Sequence, residues 1–142
     1  MGNHEFNALG WYMPAPPGSG RDFVREHSPR FARLLQETFQ QFEHYPEEWK
    51  AFREWFYDLP LFLETERFRV VHACWDSRVI ARLRPLLNDG RINPAILREA
   101  GLPGTFICQA LDRLLRGKLM LKDAVVTPEA VSESEMIYSM GL

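Results

Sequence analysis

Hydrophobic residues recur every three or four positions in the first half of the chain, a spacing typical of amphipathic helices. Residues 14–22 are rich in proline and glycine, and they predict a loop before the first of these helices. Ser28 and Pro29 then form a favourable helix start, because serine caps a helix and proline fits its first turn. A second helix is predicted from Pro46, and the break at residues 44–45 makes the two helices a hairpin. The apolar face of the first helix carries Phe31, Leu34, Leu35, Phe39 and Phe42. The apolar stripe of the second is Trp49, Phe52 and Phe56.

The pattern then changes to one typical of strands. Residues 61–63 and 68–73 predict two strands, joined by a tight polar turn at residues 64–67. The adjacent Val70 and Val71 indicate that the second strand is buried on both faces, as an inner strand of a sheet is. Two strands alone are marginally stable in water, so we expect a sheet that lacks some of its members. The pattern predicts an α/β (α+β) fold.

The last third of the chain returns to helices. Asp76 is placed to cap a helix that runs to about Arg84, and residues 105–116 predict a longer one with an apolar face. Residues 127–129 resemble a further helix start, but residues 119–142 contain few core-forming side chains. We therefore expect one domain over residues 1–118, followed by a tail of different character.

Composition narrows the class of protein. A chain of 142 residues with 46% hydrophobic and 25% charged residues is typical of one soluble globular domain. Its net charge of −2 gives no electrostatic reason to expect binding to nucleic acid or to an anionic membrane. Cys74 and Cys108 have neither disulfide-framework nor zinc-site spacing, which favours a reducing cytoplasm. The N-terminus is too polar for a signal peptide, and no apolar run approaches the ~18 residues of a membrane span.

The chain opens with Gly-Asn-His-Glu, which is the densest group of candidate functional side chains. Asn3 offers an amide oxygen, a hard ligand suited to a divalent cation. His4 can bind a metal or donate a proton near neutral pH, and Glu5 can orient it. Gly2 permits a tight backbone path just after a strand. His72 ends the second predicted strand, and ligand sites in α/β sheets gather at that end of the strands.

Other polar residues near these positions have simpler explanations. Cys74 could be a thiolate ligand, but a small core residue is the favoured interpretation. Asp76 is better explained as a helix cap than as a ligand. His27 and His44 are expected to be solvated or capping residues, and Gly-Asn-His-Glu could itself be only a turn before a helix.

The aromatic and basic residues are likewise open to two interpretations. The Trp49 stripe is expected to pack the helical hairpin rather than to stack on a nucleobase. Trp11 and Tyr12 lie beside the opening motif and could line a substrate pocket, although core packing is favoured. Arg21 and Arg25 could contact a phosphate, but a solvated charged surface is the favoured interpretation.

Taken together, the motifs resemble the calcineurin-like metallophosphoesterases. The chain looks closest to the bacterial branch with dinucleoside-tetraphosphatase-like and serine/threonine-phosphatase-like enzymes. That family places Gly-Asn-His-Asp/Glu after its third core strand and Val-His-Ala after a later one, which match residues 2–5 and 71–73 in order. The stretch Leu-Asp-Arg-Leu-Leu-Arg-Gly-Lys at residues 111–118 is similar to a late helix of that branch. The resemblance covers residues 1–118 and implies a helical cap at about residues 22–58.

The resemblance implies roles for four residues. Asn3 and His72 would bind the second of two divalent ions, such as manganese, iron or zinc. His4 would protonate the leaving oxygen, and Glu5 would hold His4 in place. The implied reaction is hydrolysis of a phosphoester in a phosphorylated protein or a dinucleoside polyphosphate.

The chain also departs from the family pattern. It contains no Asp-x-His, no Gly-Asp-x-x-Asp-Arg-Gly and no Gly-His-x-His element, so the first metal site and the bridging ligand are missing. We therefore expect a partial metallophosphoesterase sandwich, truncated before Gly-Asn-His-Glu, without its first βαβαβ segment and inactive alone. The alternative is a non-catalytic remnant or subunit that binds a protein partner. In either case an exposed sheet edge predicts self-association.

Overall fold

A computed structural model of the chain describes residues 1–118, which form an α+β fold of helices around a small antiparallel sheet. The helices are α1 (Asn3–Tyr12), α2 (Pro29–Gln41), α3 (Pro46–Phe56), α4 (Ser77–Leu83), α5 (Pro94–Glu99) and α6 (Phe106–Arg116). The strands are β1 (Phe62–Glu64) and β2 (Arg69–Val71), and one 3-10 turn, Arg84–Leu86, follows α4. The helix start expected at residues 127–129 lies outside the described residues.

The predicted helical hairpin is confirmed as α2 and α3, which pack against α1. Ala8, Leu35 and Trp49 are the buried residues of this contact. The Trp49 ring lies 5.2 Å from the Phe42 ring and 6.1 Å from the Phe56 ring, measured between centroids. Trp49 and Phe56 therefore pack as expected, whereas Phe52, the third residue of the predicted stripe, is 45% exposed. Leu34, which the spacing places on the apolar face of α2, is instead 46% exposed.

A second, larger core joins α1 to α4, α5 and α6. Its largest fully buried side chains are Val24, Leu61, Leu83, Leu97, Leu111, Leu114 and Leu115. The helix ends follow the sequence closely. Asp76 caps α4 by accepting hydrogen bonds from the backbone N–H groups of Arg78 and Val79, each at 3.1 Å. Thr105 caps α6, and Gly117 ends it with a φ of 68°, a value that favours glycine.

The two strands form at the expected place, but the expectation that β2 is buried on both faces is wrong. Within residues 1–118 the sheet has two strands, with Leu63 opposite Val70 and Phe62 opposite Val71. Because side chains alternate along a strand, Phe62 and Val71 face the core, whereas Leu63 and Val70 face outward and are each 49% exposed. Adjacent valines thus reflect one covered face and one bare face, not an inner strand.

Candidate functional site

The opening motif forms the first turn of α1. Gly2 has an extended backbone and precedes the first helical residue. Its N–H group donates a hydrogen bond of 2.6 Å to Oε2 of Glu5, so the carboxylate satisfies a backbone donor that the helix leaves unpaired. The side chain of Asn3 is half-buried at this end of the helix, and His4 is exposed.

The fold brings His72 against this turn, although the two motifs are far apart in the chain. A Cβ atom added to Gly2 would lie 2.9 Å from Nδ1 of His72 and 2.9 Å from Oε2 of Glu5, closer than real Cβ contacts. A residue larger than glycine at position 2 would therefore displace one of these two side chains, whereas the φ of −106° is open to any residue. The Gly-Asn-His-Glu and Val-His-Ala elements thus share one junction, which we call the α1 junction (Gly2, Asn3, His4, Glu5 and His72).

Two backbone contacts hold the segments of the α1 junction. The N–H group of Ala73, directly after His72, donates to the carbonyl of Leu114 at 3.0 Å. Leu114 lies in the last turn of α6, where helical carbonyls lack intrahelical partners. On the other side, the amino group of Met1 donates to the carbonyl of Pro60 at 2.6 Å. The position of His72 beside Gly2 is therefore tied to the main core.

The junction differs in one respect from the arrangement that the family resemblance implies. Glu5 bonds Gly2 and lies beside His72, and among residues 1–118 it forms no hydrogen bond with His4. The carboxylate is thus engaged in capping α1. Its expected role in holding His4, like the ligand roles of Asn3 and His72, stays a prediction.

The donor atoms at the α1 junction are of types that bind divalent cations, but they are too few. An amide oxygen and an imidazole nitrogen are both common ligands. Within residues 1–118, however, no group of three or more histidine, cysteine, aspartate or glutamate side chains could hold a metal ion. Two donors bind a divalent ion weakly, so the described residues do not form a complete metal site.

The remaining histidine and carboxylate candidates have structural roles. Asp76 caps α4, as expected, and its other oxygen accepts a hydrogen bond from Nε of Arg113 at 3.2 Å.

The expectation that His27 is merely solvated or capping is incomplete. Its ring stacks between those of Trp11 and Phe23, at 3.9 and 4.2 Å between centroids, and its Nε2 lies 2.8 Å from the Trp11 carbonyl. Cys74 is half-buried.

The aromatic residues beside the opening motif contribute to packing. Trp11 contacts His27 and Phe39, with the Phe39 ring 5.6 Å away between centroids. The Tyr12 hydroxyl accepts a hydrogen bond of 3.0 Å from Nε1 of Trp49. Both residues therefore link α1 to the helical hairpin, although Tyr12 is 41% exposed and is not the core residue that the sequence favoured.

Arg25 departs most from its expected environment. The sequence favours a solvated charged surface, but the guanidinium lies over the Phe6 and Phe31 rings, at 4.8 and 5.7 Å from their centroids. Burial, followed by the charge of Arg116, lowers the pKa of Arg25 to about 9. The side chain crosses α1 at Gly10, where an added Cβ would lie 2.8 Å from Cγ of Arg25. A glycine inside a helix is the sequence signal that could have indicated this close approach.

Arg25 belongs to a basic cluster that links α1 to α6 (Asn7, Arg25, Asp112, Arg116 and Lys118). Arg116 donates from Nη2 to Oδ1 of Asn7 and from Nη1 to Oδ1 of Asp112, both at 2.6 Å. Lys118 donates to the other oxygen of Asp112 at 3.1 Å. Since Asn7 lies one turn after Asn3 on α1, the basic cluster is close along the helix to the α1 junction.

No protein family, curated protein or solved structure matches this chain. Among the described residues, no helix is long and apolar enough to cross a membrane.

Proposed function

We propose that this chain supplies part of the catalytic centre of a cytoplasmic, calcineurin-like metallophosphoesterase. In this proposal Asn3 and His72 bind a divalent ion, and His4 protonates the leaving oxygen of a phosphorylated protein or nucleotide. The observation that supports it is the close approach of His72 to Gly2 and Glu5. Two short motifs that the resemblance assigns to one site are thus neighbours in the folded chain.

The chemistry assigns a separate task to each side chain. The exposed imidazole of His4 is accessible to a substrate in solution, and a departing oxyanion needs a proton. Divalent ions such as manganese, iron or zinc, when bound, would neutralise charge on the phosphoryl group. Because Asn3 and His72 are too few to hold an ion tightly, the remaining ligands must come from polypeptide outside residues 1–118.

A manganese titration of the isotopically labelled chain tests the ligand pair directly. Paramagnetic Mn²⁺ broadens the NMR signals of nuclei near it, so weak binding is detected without turnover. We expect selective broadening at the Asn3 amide and the His72 ring, lost in His72→Ala and kept in His44→Ala, which removes another exposed histidine. Broadening confined to surface carboxylates elsewhere would contradict the ligand assignment.

Phosphatase assays test the rest of the proposal. The chain alone should not hydrolyse an aryl phosphate with manganese above the buffer blank. In a form joined to polypeptide that carries the missing aspartate elements, His4→Asn should lower turnover by roughly 10²–10⁴-fold at unchanged metal content. The loss should shrink for nitrophenyl phosphate, whose leaving group needs little protonation. Loss of metal from His4→Asn, restored by excess metal, would make His4 a ligand instead.

The exposed apolar face of the sheet supports a second function. In this alternative the chain is a protein-binding subunit or a non-catalytic remnant. Leu63, Phe68 and Val70 are each between 49% and 57% exposed, and each strand has an edge without a strand partner in residues 1–118. We expect concentration-dependent self-association by sedimentation velocity, lowered by Leu63→Thr with Val70→Thr. Leu86→Thr, at an equally exposed leucine outside the sheet, is the control. A monomer at all concentrations would contradict self-association through this face.

A further inference from the structure

Arg25 is a half-buried cation whose guanidinium has no hydrogen-bond acceptor among residues 1–118. A guanidinium carries five N–H donors, and none of those of Arg25 bonds to a described residue. Its Nε in particular is buried without a partner. The rings of Phe6 and Phe31 offer cation–π attraction but accept no hydrogen bond from Nε, whereas the two terminal amino groups of the guanidinium are not buried. The terminal amino groups are therefore the donors of Arg25 from which a ligand in solvent would accept hydrogen bonds.

The charges around Arg25 are unbalanced. Asp112 is the carboxylate that acts on it within residues 1–118, whereas Arg116 and Arg21 repel it. Both oxygens of Asp112 are already engaged, one by Arg116 and the other by Lys118. Arg30 adds a further positive charge near Arg116. The basic cluster therefore holds several cations about one shared carboxylate.

We propose that Arg25 and Arg116 bind a phosphoryl oxyanion, either inorganic phosphate or the phosphate group of a nucleotide. The planar fork of a guanidinium matches two phosphate oxygens, and two such groups suit a doubly charged anion. The aromatic rings on Arg25 and the bonds of Arg116 to Asn7 and Asp112 fix both guanidinium groups before the ligand arrives. Arg25 is partly exposed to solvent, so an ion in solution can reach the basic cluster.

This site shares no residue with the α1 junction and needs no metal ion, so the two proposals can fail separately. The test is a thermal unfolding series in EDTA, with phosphate or AMP added at constant ionic strength. We expect phosphate to raise the unfolding midpoint by about 2–5 °C near saturation. Adenosine, which lacks the phosphate group, should have no effect. A rise with AMP but not with phosphate would assign the ligand to a nucleotide.

Matched variants locate the effect. Arg25→Gln and Arg116→Gln should each weaken phosphate binding at least about tenfold, the usual loss with one charge-assisted contact. Arg98→Gln, the control, removes an exposed arginine of α5 and changes the net charge by the same amount as the other two variants. It should bind phosphate as the native chain does. If phosphate stabilised the native chain and Arg25→Gln equally, the proposal would be overturned, because the anion would then bind elsewhere on the protein surface.

A measurement on the native chain keeps the proposal testable if the arginine variants fold poorly. Cys108 lies in the field of Arg25, Arg21 and Lys118, which favour its thiolate. Bound phosphate would neutralise that field and so slow the alkylation of Cys108. Peptide mass spectrometry measures the alkylation rate. Phosphorus NMR of the same titration should show a shifted or broadened phosphate line. An unchanged line together with an unchanged alkylation rate would overturn the proposal.

Discussion

The α1 junction and the basic cluster are two polar regions that each include part of α1, and they differ in exposure and in charge. At the α1 junction, His4 and His72 are both exposed to solvent. In the basic cluster, Asn7 is 5% exposed and Nε of Arg25 is buried. The first region combines a carboxylate with two imidazoles, whereas the second gathers several cations about a single carboxylate.

The difference shows which kinds of site a sequence reveals. Residues 2–5 are consecutive, so a short window of the sequence is enough to recognise most of the α1 junction as a motif. The basic cluster joins residue 7 to residues 25 and 112–118, and no short window of the sequence contains it. Chemistry that is assembled from distant segments becomes visible only when those segments pack.

The largest expected effect distinguishes the two regions by stability. Arg116→Ala removes two charge-assisted hydrogen bonds and leaves the buried Asn7 without its partner, so we expect a loss of about 2 kcal/mol. His4→Ala at the exposed α1 junction should change stability by less than about 0.5 kcal/mol. Urea unfolding measures both. Equal losses in the two variants would remove the distinction between a structural and an exposed site.

A smaller effect tests the close approach within the α1 junction. Gly2→Ala places a Cβ within 2.9 Å of the His72 ring and of Glu5, and we expect a cost of about 1 kcal/mol. The cost should fall in the His72→Ala background, because the ring is no longer there to be displaced. Additive effects of the two substitutions in this double-mutant cycle would show that Gly2 and His72 do not touch.

The smallest effect concerns the pH dependence of Cys108, on which charges of the basic cluster act. Burial, with a further contribution from the charge of Asp112, raises the pKa of the Cys108 thiol. The folded protein thus retains this proton where the unfolded chain has lost it, so this group lowers stability as pH rises above the ordinary thiol pKa.

Asp112→Asn should lower the pKa of Cys108 and shift its alkylation profile to lower pH, whereas Arg25→Gln should shift it to higher pH. Alkylation rates across a pH series, followed at the Cys108 peptide, measure both shifts. Glu99→Gln, an exposed carboxylate on α5, is the control and should leave the profile unchanged. Shifts of the same sign in Asp112→Asn and Arg25→Gln would contradict this account of the charges.

Most helices could be predicted because local chemistry determines them. Ser28 with Pro29, Asp76, and Thr105 with Gly117 mark ends that the structure confirms within a residue or two. The positions of the strands were also predicted correctly, but the predicted burial of Val70 was wrong. A pair of valines favours a strand wherever it occurs, whereas what covers each face depends on the rest of the fold.

The candidate site was predictable only in part. The sequence indicated Asn3, His4, Glu5 and His72, and the fold places His72 beside Gly2. The sequence did not indicate that Glu5 would cap α1, because no helix was predicted to begin at Asn3. It favoured a solvated Arg25, because an arginine in a polar segment is usually exposed.

By itself, the sequence determined most local elements of this protein, though not α1 or α5, since caps, proline, glycine and the spacing of apolar residues act within a few positions. It also determined which chemical groups are available, including the adjacent amide, imidazole and carboxylate of residues 3–5. Only the tertiary structure decided which distant groups meet. The contact of His72 with Gly2 and the burial of Arg25 between Phe6 and Phe31 both follow from how the helices pack around the core. Burial and proximity are properties of the whole chain, so no local pattern could contain them.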